Sequence, residues 1–465
     1  MIHTSVSGEY YDWTITRKPE RPWIHPYHQT FVDKIYLASK ANPQTGEAPI
    51  IFFTFEQALE RIKQIDQVTR GMPKIIYLVG WQYDGHDSKY PDWGEVNDRL
   101  KRPQDGTALA SLLWLMEEGY HYNTTVSLHI NMLDAYEDAP SWDIYLEKDI
   151  IVKKDGQLYR HPRAVWGGQQ AYWIDYAKEW EAGLAQKRID DLLEMLPVQR
   201  QGTIHIDAFG IPLYTDPEIE KMAIRRILRY WRDQGVDVTS ENVYDGRYGE
   251  GCIGLQPMAW HINPIHGGWK YSLENPEIKE EMWMEVPASL CCGGVDEIDL
   301  STGGLFGSSM YGETIADVRD FIKPFCLQTL PWYFVNRFKR LSLVKDGQVK
   351  TLSLSDGVVS RVENGYRTIR HGNRLLVDGE DVFVPALWRS GREIIAYSSY
   401  GYARRKWELP PGWDDIDLAD LYEINKDGSK YLRSLKIEAG TLVLSLDAGQ
   451  SVSIVPGGTQ HFMKE

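Results

Sequence analysis

The chain is poor in cysteine: Cys252, Cys291, Cys292 and Cys326 are the only four in 465 residues, and two of them are adjacent. Neighbouring cysteines are awkward disulfide partners, so reduced thiols are expected rather than a stapled scaffold. No apolar run approaches the roughly 20 residues that a membrane span requires. Positive charge is also short, with 51 Lys and Arg against 66 Asp and Glu and a net charge of −15. Such a balance repels a phosphate backbone and an anionic lipid surface, so neither nucleic acid nor membrane is expected as a partner. The opening MIHTSVSGEYYDW has neither a basic n-region nor an apolar h-region, from which a cytoplasmic location is expected. HExxH, GxSxG and a Walker loop are missing, and no cofactor is expected.

Aromatic residues are plentiful: 17 Trp and 27 Tyr. Most such rings fill core, but a ring with an apolar face and a polar edge also suits the C–H face of a sugar. With 465 residues the chain exceeds the usual size of one hydrophobic core. Thr54 followed by Gln57 predicts a capped helix from Phe55 to Ile65. The apolar run 74–80 (KIIYLVG) and the run 124–130 (TTVSLHI) read as parallel strands. Between them a helix over 106–118 carries Leu109, Leu112, Leu113 and Met116 on one stripe. Asp216-Pro217 opens another helix, with Ile219, Ala223, Ile227 and Tyr230 on one side, ending at Gly235. Weaker strand candidates lie at 258–262, 288–292 and 298–300, and a helix candidate runs from Thr314 to Ile322. Beyond Leu341 the texture becomes short alternating segments broken by Asp-Gly, Asn-Gly and Gly-Asn turns. The organisation this predicts is a (β/α)8 TIM barrel with an N-terminal lead-in over 1–340, then an antiparallel β-sandwich over 341–465.

Two segments focus the chemistry. Residues 202–210 (GTIHIDAFG) put Asp207 at the downstream end of an apolar strand, and 237–246 (DVTSENVYDG) repeat the arrangement with Glu241. One amphipathic helix separates them. Consecutive barrel units aim the C-terminal ends of their strands at one mouth, so two carboxyls meet over one cavity. Two carboxyls are the minimum equipment for cutting a glycosidic bond, and a carbohydrate or glycoconjugate is the expected partner. The strand at 74–80 leads into the polar cluster Trp81-Gln82-Tyr83-Asp84-Gly85-His86-Asp87-Ser88, and the next strand ends in His129-Ile130-Asn131. Trp81, Trp166 and Trp260 are candidate aromatic walls. Two rival readings stand beside the glycosidase: a metal-dependent hydrolase using His86, Asp87 and His129, and a non-catalytic carbohydrate-binding protein on a barrel scaffold.

The run 80–93 (GWQYDGHDSKYPDW), then His129-Ile130-Asn131, then Ile206-Asp207-Ala208-Phe209-Gly210, then Glu241, resembles the catalytic barrel of the endo-α-N-acetylgalactosaminidases of glycoside hydrolase family 101. The stretches 327–333 (LQTLPWY) and 407–413 (WELPPGW) resemble the end of that barrel and the β domain after it. The resemblance implies a retaining α-glycosidase with Asp207 as nucleophile and Glu241 as general acid/base. It also implies that Asp87 and His129 hold hydroxyls of the reacting sugar, with His86 and Asn131 in the same motifs. Ala208-Phe209 departs from the larger Trp-containing run of that family. The related family 129, of intracellular exo-acting α-N-acetylgalactosaminidases, shares the barrel and suits the expected location.

Overall fold

The computed structural model describes residues 22–242, 255–257, 259–261, 317–338, 340–389 and 391–458, with the side chains of 28, 241, 242, 259–261, 340, 343 and 345 left aside. Its first layer is a sheet of six parallel strands, numbered here β1 Phe31–Tyr36, β2 Lys74–Val79, β3 Thr124–Asn131, β4 Thr203–Asp207, β5 Asp237–Asn242 and β6 Ala259–His261. Their order across the sheet is their order along the chain, and each neighbouring pair is parallel. Each crossover therefore moves one strand over in the same direction, which brings all the C-terminal ends to one edge.

The strand β1 lies in the stretch that reads in sequence as a lead-in. Its buried Asp33 and Lys34 interrupt the apolar run that marks the other strands. The helix Phe55–Val68 follows β1, and its start is a reciprocal cap: Thr54 Oγ1 accepts from the Gln57 amide at 3.3 Å and Gln57 Oε1 accepts from the Thr54 amide at 2.9 Å. It runs one turn beyond the predicted end, because Val68 is buried with Ile62 and Ile65. Two predicted helix faces are rotated. In Ala108–Glu118 the buried side is Ala108, Ser111, Leu112, Leu115 and Met116, while Leu113 faces outward. In Pro217–Asp233 it is Ala223, Ile224, Ile227, Leu228 and Trp231, while Ile219 is exposed and Tyr230 donates to Asp190 at the surface. Both sequences offer two overlapping apolar stripes, and packing against the sheet selects one.

The long segment between β3 and β4 folds into the helices Trp142–Glu147, Tyr176–Glu181 and Leu184–Met195 and several two-residue hairpins. The strand candidates at 288–292 and 298–300 lie outside the described residues, whereas 258–262 contains β6. The helix sought over 314–322 is described from Arg319 to Pro324.

From Arg340 the chain forms an antiparallel sheet of twelve strands ending at Gln450–Pro456. Its hairpins use the turn chemistry read from sequence: Asn364 and Gly365 both take positive φ, 50° and 79°, as a tight hairpin turn requires. A second core of Phe383, Trp407, Leu421, Leu442 and Ile454 fills this domain. It is fastened to the first layer where Arg70, at the end of the first helix, donates from Nε to Glu393 at 2.7 Å and from Nη1 to Ser429 at 2.7 Å.

Candidate functional site

Strand β2 is followed by Gly80, whose φ of 75° and nearness to the Ala38 carbonyl, 2.0 Å from where a Cβ would sit, admit only glycine. The chain turns there into the loop that carries His86 and Asp87. Asp87 itself is left-handed, with φ 58°. On β3 and β4, His129 pairs with His205 and Asn131 with Asp207. The pair Ile206 and Ser240 sets β5 beside β4, so the backbone of Glu241 lies level with Asp207. The Glu241 side chain lies outside the described residues, as does that of Trp260 on β6.

Asp207 is brought against two imidazoles. Its Oδ2 lies 3.2 Å from His129 Nε2 and 4.0 Å from His86 Nε2, while His86 Nε2 is 3.5 Å from Asp87 Oδ2. Side-chain exposures of 14% for Asp207, 16% for Asp87 and 20% for His86 leave these groups enclosed yet reachable, whereas His129 is buried. The three histidines form a column. His129 stacks on His205 at 5.2 Å and meets His86 edge-on at 5.2 Å, and Tyr77 and Tyr36 close the two ends. One edge of the column therefore presents ring nitrogens to a carboxylate at a strand end, and a polyhydroxylated ligand could use all of these groups as hydrogen-bond partners.

Two candidate residues are used differently from their sequence reading. Trp81 is fully buried, and its Nε1 donates to the His129 carbonyl at 3.0 Å, so it braces β3 from beneath instead of walling a pocket. Asn131 is also buried: its Oδ1 accepts from the amides of Leu133 and Asp134 at 2.8 and 2.9 Å and its Nδ2 donates to Asp134 at 2.9 Å. That side chain is spent on an Asx turn. Trp166 is 43% exposed on the hairpin strands Val165–Trp166 and Gln169–Gln170.

Lys40, which no sequence signal marks, ties this hairpin to the site. Its ammonium donates to the Asp87 carbonyl and to Gln169 Oε1 at 3.0 Å, and it sits 3.9 Å from the centre of the Tyr136 ring. Burial pushes the Lys40 ammonium down to about 8, against the pull of the Asp87, Asp138 and Asp134 carboxylates. The Tyr90 and Tyr136 phenols are pushed up by burial and by the Asp87, Asp134 and Asp207 carboxylates.

His86, His129 and Asp207 also set one ligand-type atom each within 4.8 Å of one another. That spacing allows a divalent ion, and it gathers two of the three residues weighed as metal ligands from sequence, His86 and His129, with Asp207 in place of Asp87.

Residues 50–249 match glycoside hydrolase family 101, endo-alpha-N-acetylgalactosaminidase. A Renibacterium salmoninarum protein carrying the endo-alpha-N-acetylgalactosaminidase name is 22% identical over an alignment of 430 positions that covers 86% of this chain and 25% of that protein. Among solved structures, alpha-N-acetylgalactosaminidase NagBb from Bifidobacterium bifidum in its GalNAc complex aligns with a TM-score of 0.55 at 14% identity, over 75% of this chain and 58% of that one. Its Gal-NHAc-DNJ complex gives 0.54 at 15% identity with the same coverage. At such identity the likeness is one of fold. The chain spans a quarter of the length of the sequence relative and under two thirds of the structural one.

Proposed function

We propose that this chain, an endo-alpha-N-acetylgalactosaminidase-like glycoside hydrolase through residues 50–249, is a retaining α-glycosidase acting on an α-linked N-acetylgalactosamine-type or galactose-type sugar. The one-way parallel strand order supports reading 1–340 as a (β/α)8 barrel, and the antiparallel pairing after residue 340, with its own core, supports reading 341–465 as a β-sandwich domain. The observation that carries the proposal is the Asp207 carboxylate at the C-terminal end of β4, 3.2 Å from His129 Nε2 and level along the sheet with Glu241.

In this reading Asp207 attacks the anomeric carbon as a carboxylate. Glu241 gives its proton to the departing glycosidic oxygen, the C–O bond breaks, and a glycosyl ester forms on Asp207. Glu241 then takes a proton from water, whose oxygen displaces Asp207 from the opposite face and restores the starting anomer. His129, whose Nε2 lies 3.2 Å from Asp207 Oδ2, holds the carboxylate in place, while His86 and Asp87 bind sugar hydroxyls. The test is hydrolysis of an aryl α-N-acetylgalactosaminide with NMR of the first product. Asp207→Asn should abolish turnover while sugar binding persists, and the first product should be the α anomer. A β anomer as first product, or an active Asp207→Asn protein, defeats the proposal.

The clustering of His86, His129 and Asp207 favours one second reading, a metal-dependent hydrolase. It requires activity to disappear on chelation and return with a divalent ion, whereas the carboxylate mechanism predicts indifference to EDTA.

A further inference from the structure

The antiparallel domain carries a cavity of about 510 Å³, a size suited to a small ligand. Two hairpin turns, Asn364-Gly365 and Gly379-Glu380, and the connection at Tyr400-Gly401 form its rim. They lie at one end of the sheet because they join successive antiparallel strands at every second connection. The segment around Lys323 and Leu327 forms the opposite wall. The cavity shares no residue with the Asp207 cluster.

Its chemistry is mixed in a specific way. Two tyrosine rings stand out at the rim, Tyr366 at 54% exposure and Tyr400 at 79%. Glycine at position 379 lets Tyr366 lie close, since a Cβ there would come within 2.6 Å of the ring. Most charges in the wall are paired, and Arg367, also in the wall, donates to the Leu327 carbonyl. Arg405 bridges Asp378 and Asp381, and Lys323 Nζ meets Glu380 Oε2 at 3.0 Å. Tyr366 Oη donates to Asp378 at 2.8 Å, and the Arg405 guanidinium lies 4.3 Å from the Trp407 ring, so these groups are held in place. Compensated charges give little attraction to a phosphate or a free cation. Fixed carboxylates keep lone pairs for hydroxyl donors, and exposed rings offer an apolar face. A ligand with several hydroxyls, no net charge and a C–H face meets all three conditions.

We propose that this cavity is a second, non-catalytic site for a neutral carbohydrate, with Tyr400 as its stacking platform. Such a site holds a glycan chain on the β domain while the barrel acts elsewhere on it, raising the local concentration of cleavable linkages.

The test is affinity electrophoresis of the full chain in gels cast with desialylated mucin or galactomannan, using Asp207→Asn protein so that the glycan stays intact. Retardation is expected in at least one of these gels. Adding Tyr400→Ala should weaken the apparent affinity by at least about fivefold, and Tyr400→Phe should keep it, because the ring remains. In otherwise unaltered protein, Tyr400→Ala should leave hydrolysis of a small aryl glycoside unchanged. Absence of retardation in every glycan gel, or equal retardation with and without Tyr400→Ala, overturns the proposal. Failure of the glycosidase reading shows separately, as hydrolysis that survives Asp207→Asn, and leaves the gel result readable.

Discussion

Asp207 Oδ2 and His129 Nε2 face each other at 3.2 Å from adjacent parallel strands, the imidazole buried and the carboxylate partly open. A polar ring held this way needs no reorganisation when charge moves on or off the carboxylate. His129→Ala should therefore lower kcat on an aryl α-glycoside by about 10²- to 10³-fold, the usual loss when a preorganised polar group beside the reacting atoms is removed. KM should change far less. Steady-state kinetics decide it, and an equal rise in KM with kcat retained would make His129 a binding group alone.

The strands that bear this pair were legible because β2 is an almost unbroken apolar run and β3 and β4 alternate aliphatic residues with others, short segments that suit buried parallel strands. His86, Asp87, His129 and Asp207 stand out as polar residues at strand ends, and the fold gathers them. What escaped detection has physical causes. Strand β1 hides behind Asp33 and Lys34, two buried charged residues that break the apolar pattern. Lys40 reaches Asp87 and Gln169 across 47 and 129 residues of chain, a relation no local spacing encodes. Asn131 and Trp81 have the residue types of a sugar site, but backbone groups of the protein claim their polar atoms first.

The bond from Trp81 Nε1 to the His129 carbonyl makes Trp81 a support for the strand that aims the imidazole. Trp81→Phe keeps most of the ring volume and removes the donor, so it should cost about 1–3 kcal/mol, the penalty for an unmet buried polar group. Trp81→Ala adds a cavity and should cost about 3–5 kcal/mol. Chemical denaturation measures both. Stability equal to the unaltered protein in both variants would contradict the buried placement.

Glu220 is buried in the helix Pro217–Asp233, accepts from the Tyr176 amide at 2.9 Å, and is pushed up to about 8 by burial and the adjoining Asp175 carboxylate. The folded protein thus keeps a proton that the unfolded chain releases near 4.5. Folding takes up a proton between these values, so this group's contribution is greatest below about 4.5 and is lost as pH rises towards 8. Glu220→Gln preserves an acceptor for the amide and a donor for Asp175 without titrating. Its Tm should approach or exceed that of the unaltered protein as pH rises from 5 to 8.5, a relative shift on the order of 1–3 kcal/mol. Scanning calorimetry across that range checks the sign, and parallel Tm curves would refute it.

Glu393 is the joint between the parallel layer and the antiparallel domain. Its Oε1 accepts from Arg70 Nε and from Ser453 Oγ, both at 2.7 Å, and its Oε2 accepts from Arg389 Nε at 3.0 Å. Only 4% of the side chain is exposed, while Arg70 keeps 12% and Arg389 41%. Removing a buried carboxylate between two guanidinium groups strands the more buried cation, a loss of about 3–5 kcal/mol when both partners are fully desolvated. Partial exposure of the arginines lets water compensate some of that, so Glu393→Ala should cost nearer about 2–3 kcal/mol. Arg389→Ala should cost under about 1 kcal/mol, because that side chain already faces solvent. Asp207 and His129 make no contact with this joint, so the surviving folded fraction of Glu393→Ala should hydrolyse an aryl glycoside with unchanged KM. Denaturation midpoints and active-fraction kinetics separate the two effects. A raised KM with unaltered stability would show that the joint shapes the site and does not fasten the domains.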